Sequence, residues 1–209
     1  MIIESIHLMQ CEQQALRLHI CLLWGLFSSK DIPTLPDDKT LTQFKEHFLT
    51  EKSLEGYQSQ QPLILISLVK VTSTKRGRIG NQLGLIEEHI ILYIQGCLAR
   101  FGMTSWGPDL RQTAYSLYNA ACRIIALDTF KQALILHAYA SVGPNLRYVN
   151  DMPLLIKVYD HIVHQYFHLR WRQNVQHPGS VAAGDEANPV YRARVRVSFT
   201  YNVGSSHPH

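Results

Sequence analysis

The chain has 209 residues, a formal net charge of +4, 46% hydrophobic and 17% charged residues, and four cysteines. These figures supply enough apolar side chains for one sizeable core, and they exclude wholesale disorder, a disulfide-stapled miniprotein and a collagen-like or low-complexity chain. The charge is uneven: residues 1–60 hold five Lys/Arg against eight Asp/Glu, residues 61–146 eight against four, and residues 147–209 seven against four. An acidic first segment thus precedes a basic remainder, an excess that suits nucleic acid or an acidic partner but falls short of a polybasic arm.

Taken in order, the elements are helical. Ile6, Met9, Gln13, Leu16, Ile20, Leu23 and Phe27 recur at three- and four-residue steps, which predicts an opening amphipathic helix with a largely apolar face. Pro33, Pro36 and Asp37 end it, and Thr40 or Thr42 is the expected cap of a second helix bearing Leu41, Phe44, Phe48 and Leu49. The run Leu63 to Val71 suits a buried strand or a buried helix, and leans to helix. After the basic turn Lys75-Arg76-Gly77-Arg78, one long helix should carry Ile79, Leu83, Ile86, Ile90, Tyr93, Cys97 and Phe101 on a single side until Gly102 stops it. Gly107-Pro108-Asp109 opens the next element, with Leu117, Ala121, Ile124, Leu127 and Leu134 turned inward, and Gly143-Pro144 closes it. Asp151-Met152-Pro153 reads as the cap and first turn of a last long helix, from Leu154 to Asn174, ended by His177-Pro178-Gly179-Ser180. Beyond it, residues 182–188 read as a linker, residues 190–196 as a short basic helix and the remainder as a disordered tail. The expected fold is all-α: an irregular bundle of about six helices over residues 1–175, followed by a linker and disordered C-terminal tail over 176–209.

Cys11, Cys21, Cys97 and Cys122 sit in apolar helical runs without a CxxC pair or Cys/His ligand spacing, so buried thiols in a reducing compartment are expected. The N-terminus lacks the early basic residue and cleavage site of a signal peptide. The runs Ile20 to Phe27 and Pro62 to Val71 fall well short of the ~20 apolar residues a membrane span requires. These features predict a nuclear or cytoplasmic protein with no membrane partner.

Three constellations could carry chemistry. On a helical wheel, Leu154, Leu155, Val158, Ile162, Tyr166 and Leu169 share one side of the last helix, and His161, His164 and His168 fall together on the opposite flank. Steps of three and four residues can aim imidazoles at a common point, the geometry of a metal site. Lys157 and Arg172 share that sector and Asp160 is expected to face elsewhere, so the same surface also reads as a solvated cationic face able to contact an anion or nucleic acid. Trp171 beside Arg172 could stack a base or rim a protein contact. The second constellation is the glycine-punctuated turn holding Lys75, Arg76 and Arg78. At a helix start its backbone N–H groups and the helix dipole favour phosphate, although neither a P-loop ending nor a GxGxxG fingerprint is present, and an exposed connector is the plain alternative. The third is Glu87, expected at the edge of the apolar stripe near Ile94 and Leu98. Burial there calls for pairing with Arg111 or Arg123, or with His89 if it served as an acid. No GxSxG, HExxH or Cys–His arrangement points to a hydrolase, and no cofactor is implied.

Trp106-Gly107-Pro108-Asp109-Leu110-Arg111-Gln112, continuing through Tyr115-Ser116-Leu117-Tyr118-Asn119-Ala120-Ala121-Cys122-Arg123, resembles a segment found in a family of gene-predicted proteins of mushroom-forming fungi. Tyr148-Val149-Asn150-Asp151-Met152, His177-Pro178-Gly179-Ser180-Val181 and Asn188-Pro189-Val190-Tyr191-Arg192-Ala193-Arg194 share the resemblance, which covers roughly residues 75–196. It implies a fungal source and a link to mobile elements, and brings no fold, activity or functional residue with it. Similar chains continue in a charged extension where this one turns to Val197-Ser198-Phe199-Thr200, and a splice donor read in frame gives Val-Ser. The expectation is therefore a truncated member whose tail is translated intron, which sequencing of the transcript would decide.

Together these readings predict a non-enzymatic helical interaction module that contacts nucleic acid or an acidic protein partner through its basic second half. A metal-assisted enzyme built on His161, His164 and His168 is the alternative.

Overall fold

A computed structural model describes residues 2–53 and 78–181, with side-chain surroundings given for 13–48 and 78–181. The element expected over Leu63 to Val71, the cations Lys75 and Arg76, the side chain of Cys11 and everything beyond Val181 lie outside the described residues. Within them the fold is all-α, with no strand. The helices are α1 (Ile2–Trp24), α2 (Asp38–Ser53), α3 (Arg78–Leu83), α4 (Glu88–Arg100), α5 (Leu117–Ile135), α6 (Met152–Asp160) and α7 (His168–Gln176). A π-turn, His161–Phe167, joins α6 to α7 without a break, and two short 3₁₀ turns, Ala140–Val142 and Leu146–Tyr148, link α5 to α6. None of the described helices is long and apolar enough to cross a membrane.

α1 forms where expected, but it is the hub of the core rather than an amphipathic surface helix. Ala15, Leu16, Leu18, His19, Ile20, Cys21, Leu22, Leu23 and Trp24 are all buried, because α3, α5, α6 and the Ala140–Val142 turn pack around it. A helix enclosed on several sides has no polar flank to keep, and the stretch from Ala15 to Trp24 contains one charged residue, Arg17. His19 is accommodated by hydrogen bonding: its ring nitrogens lie 2.6 Å from the Tyr139 hydroxyl and 2.8 Å from Thr129 Oγ1. Thr129 donates its single proton to the Ile125 carbonyl (2.6 Å), so it accepts from His19 Nε2–H, and Nδ1 then accepts from Tyr139 O–H. Burial holds this imidazole neutral, with its pKa lowered to about 3.

The cap of α2 is Asp37, not Thr40 or Thr42. Its carboxylate accepts from Thr40 N–H at 2.8 Å and its carbonyl accepts from Leu41 N–H. The bonds from Thr40 hold the Asp37 carboxyl below its usual range. Thr42 turns its hydroxyl back onto the Asp38 carbonyl. An aspartate ahead of the first turn wins because it combines a short acceptor with a negative charge at the positive end of the helix.

The long helix expected from Ile79 to Phe101 is two helices. α3 ends at Leu83, and after the turn through Gly84, Leu85 and Ile86 the backbone is extended at Glu87 (φ −68°, ψ 146°) before α4 begins. Glycines at 80 and 84 weaken helix continuation, and the break lets both Leu83 and Ile86 reach the core. It also resets the phase: α4 buries Ile90, Ile94 and Leu98, while Tyr93 is 43% exposed and Cys97 and Phe101 are only partly buried. Glu87 is consequently exposed rather than at the edge of the stripe. It pairs with His89 (Nδ1–Oε2 3.2 Å), not with Arg111 or Arg123.

α5 begins later than expected, at Leu117, where the Ser116 hydroxyl accepts from Asn119 N–H. Ala121, Leu127 and Leu134 point inward, but Leu117 and Ile124 are 64% and 48% exposed; Tyr118, Cys122, Ile125, Ala126, Phe130 and Ala133 complete the inner face. The helix also ends earlier, with His137 in the left-handed region (φ 57°), and Gly143 (φ 63°) terminates the following 3₁₀ turn instead. Residues 102–116 form a compact loop. Trp106 Nε1 donates to the Cys122 carbonyl (2.9 Å), and its ring meets Trp24 edge-on. A Cβ at Gly107 would stand 2.9 Å from Trp24 Nε1, so only glycine fits there without displacement. Burial raises the thiols of Cys21 and Cys122 to about 12, leaving both as packing groups.

The start and end of the last helical rod are as expected. Asp151 accepts from Leu154 N–H (3.1 Å), Pro153 occupies the first turn, and Gly179 (φ 83°) lies in the turn beyond His177. Between them the π-turn, whose i→i+5 bonding turns less per residue than an α-helix, rotates the second half of the rod. Leu155, Val158, Tyr159, Ile162, Val163 and Phe167 face the core, and Leu169 is 62% exposed instead of buried.

Candidate cationic ridge and polar cluster on the last helical rod

From Pro153 to Gln176 the exposed residues of α6, the π-turn and α7 are Pro153, Lys157, His161, Gln165, Leu169, Arg172, Gln173, Val175 and Gln176, with no carboxylate among them. The one acid within the rod, Asp160, is turned inward to Arg123 of α5, with Nη1 and Oδ1 3.6 Å apart. Lys157 and Arg172 are both exposed along the rod, on a ridge with no carboxylate, while His164 and His168 of the same predicted sector are partly buried. Arg78 is exposed at the first residue of α3, a helix too short to offer a dipole site, and Lys75 and Arg76 beside it lie outside the described residues.

The three histidines do not converge. His161 Nδ1 lies 2.8 Å from Gln165 Oε1 on the exposed ridge, His168 stacks on Trp171 (centroids 5.9 Å apart, 21° between planes), and His164 turns edge-on toward Tyr159. Among the described residues no three His, Cys, Asp or Glu side chains gather as a metal set. Trp171 is partly buried against the core cluster, which leaves its ring packed rather than presented on the ridge.

His164 instead joins a cluster that the wheel did not anticipate. Of the six buried side-chain polar atoms without a hydrogen-bond partner among the described residues, four fall here: Arg123 Nη1, Tyr159 OH, Asp160 Oδ1 and His164 Nε2. The expectation that Asp160 faces away from the histidines is corrected: its carboxylate lies close enough to His164 to favour the charged imidazole. Burial nevertheless dominates, and with the Arg123 and His168 charges it pushes the His164 pKa below its ordinary value. Burial likewise drives the Tyr159 hydroxyl well above its usual range. The set offers two donors, a carboxylate acceptor and an imidazole, which can hold a water or another small polar group between them. Asp160→Asn is expected to lower the His164 pKa further and Arg123→Gln to raise it, measured from the imidazole Cε1–H resonance against pH; shifts in one common direction would contradict this arrangement.

No protein-family model, curated protein or solved structure matches the chain. The site is therefore read from its own geometry.

The exposure of Lys157 and Arg172 was legible in the sequence, because a charged side chain on a helix keeps to its solvent side. Sequence reasoning missed Tyr159 and Asp160 as partners of Arg123 and His164, since neither the π-turn nor the packing of α5 against α6 has a local signature.

Proposed function

We propose that the chain is a non-catalytic helical interaction module that contacts nucleic acid through the ridge of the last rod, with Lys157 and Arg172 as phosphate contacts. The observation supporting this reading is the one-signed ridge: two exposed cations stand among neutral side chains, polar ones together with Leu169 and Val175, and the sole acid of the rod is drawn away by Arg123. Sequestering Asp160 matters because a carboxylate on the ridge would cancel one of two positive charges and repel a polyanion within a Debye length of about 8 Å at physiological salt. Arg78, exposed at the start of α3, is a further candidate cation.

The test is binding of a fluorescent duplex over a salt series. Each phosphate contact contributes about −0.9 to the slope of log K against log salt, so a Lys157→Gln/Arg172→Gln double variant should bind at least about tenfold more weakly at low salt, with a slope shallower by about 2. Binding that is absent, or unaltered in strength and slope by the double variant, would refute the reading.

A further inference from the structure

We infer that the outer face of α5 is the interface of a two-fold homodimer, in which Ile124 packs on the partner's Ile135 and Asp128 pairs with the partner's Lys131. Opposite its buried face, α5 carries Ile124, Asp128, Lys131 and Ile135 at steps of four, three and four residues. At about 100° per residue the four fall within a sector of about 60°, and they span about 16 Å of helix. Ile124, Asp128 and Ile135 are exposed, the two isoleucines by 48% and 56%, and Lys131 is partly so. Single exposed apolar side chains are ordinary, but a stripe of them on a helix whose other face is core marks a contact surface. Leu117, 64% exposed, continues the stripe two turns earlier. Tyr93 of α4, itself exposed, stands near enough for the Asp128 charge to act on its hydroxyl, so α4 widens the face.

The symmetry of the stripe identifies the occupant as a second copy. Its order of Ile, Asp, Lys and Ile reads the same in apolar character from either end and reverses in charge. Laid antiparallel on itself about an axis between Thr129 and Phe130, α5 sets Ile124 level with the partner's Ile135 and Asp128 level with the partner's Lys131. Each match occurs twice, because a two-fold contact is isologous. A parallel arrangement would set Asp128 against its own copy, which like-charge repulsion disfavours. The two charges are available for this pairing. α5 has three charged residues, of which Arg123 is drawn to Asp160, and neither Asp128 nor Lys131 forms an ion pair among the described residues. Nucleic acid suits the stripe poorly, since Asp128 would repel a phosphate and isoleucine offers it nothing. Lys157 and Arg172 take no part, so the inference stands independently of the ridge.

Sedimentation equilibrium of the purified full chain at physiological salt, from about 1 to about 300 µM, tests this, since a face of this size implies micromolar association. The expected result is a reversible rise from the mass of one chain toward two and no further, as a closed two-fold contact requires. Asp128→Lys and Lys131→Glu should each weaken the dimer at least about tenfold, because like charges then meet at both pairs. Mixed together, the two variants should associate with each other as the wild type does, because every charge again meets its opposite. The double variant Asp128→Lys/Lys131→Glu should dimerise for the same reason. Both positions lie outside the core, and recovery on mixing shows in the same experiment that each variant is folded. A chain that stays monomeric throughout would overturn the inference and leave the stripe to a partner of another sequence. Association unaltered by either variant, no recovery on mixing, or growth beyond two chains would overturn it equally.

Discussion

His19→Ala is expected to cost about 3–5 kcal/mol of folding stability, read from the urea midpoint with its m-value unchanged. The imidazole is fully enclosed between α1, α5 and the segment carrying Tyr139, and its loss opens a cavity against Phe130 and leaves the buried Tyr139 hydroxyl without its acceptor. Thr129 keeps its bond to the Ile125 carbonyl, so the damage falls mainly on the Tyr139 side. His19 also makes stability depend on pH. Its folded pKa of about 3 lies below the ordinary value of 6.5, so in acid the unfolded chain takes up a proton that the native chain refuses. The contribution is complete above about pH 6.5 and is lost as the pH falls toward 3, with a limiting slope of about 1.4 kcal/mol per pH unit. His19→Gln can accept from Tyr139 and donate to Thr129 but cannot titrate. Its stability deficit relative to the wild type should therefore shrink between pH 7 and pH 4; a deficit constant over that range would contradict the assignment.

Asp109→Ala should cost about 2–4 kcal/mol. The carboxylate is buried in the loop ahead of α5 and accepts from Arg111 N–H (3.1 Å), Nε (2.8 Å) and Nη2 (3.2 Å) and from Gln112 Nε2 (3.0 Å). Burial alone would raise its pKa, but the hydrogen bonds and charge of Arg111, with the bond from Gln112, outweigh burial and hold it below the usual carboxylate range. Its stabilisation is accordingly present above the ordinary carboxylate pKa of about 3.9 and lost as the pH falls through the lower folded value. The backbone of Asp109 is held from the other side by Asn119, whose side chain accepts from Asp109 N–H (2.8 Å) and donates to the carbonyls of Asp109 (3.1 Å) and Thr113 (2.8 Å). Asn119→Ala should cost a similar amount. Because both side chains fix one loop, the double variant should lose less than the sum, by about 0.5–3 kcal/mol in a double-mutant cycle. Strict additivity would show that the two networks hold separate pieces of chain.

The segment from Trp106 to Arg123 is thus built as one unit. Trp106 and Tyr118 bond to carbonyls on opposite sides of the loop junction, at Cys122 and Gly107 respectively, and Gly107 has no room for a side chain against Trp24. The packing of Trp106, Gly107, Asp109, Tyr118 and Asn119 seats the start of α5. Tyr115 and Leu117 are exposed on the outside of the same segment.

Features set by a few neighbouring residues were legible from the sequence. Asp151-Met152-Pro153 starts a helix because a carboxylate three residues ahead reaches a free N–H and proline tolerates the first turn, whatever the rest of the chain does. The rod ends at Gln176, just ahead of the turn that His177-Pro178-Gly179 predicts, where Gly179 takes the left-handed backbone. The all-α class, the buried Cys21 and Cys122 and the shared exposure of Lys157 and Arg172 likewise follow from composition and helical period. Tertiary structure decided which faces count. α1 is enclosed because several elements converge on it, α4 turns Tyr93 outward because the break after Leu83 resets its phase, and the π-turn sends His161, His164 and His168 to three different surroundings. Local rules act over about four residues, the reach of a helical hydrogen bond, whereas burial and the pairing of Arg123 with Asp160 depend on contacts between distant segments that no short window of sequence contains.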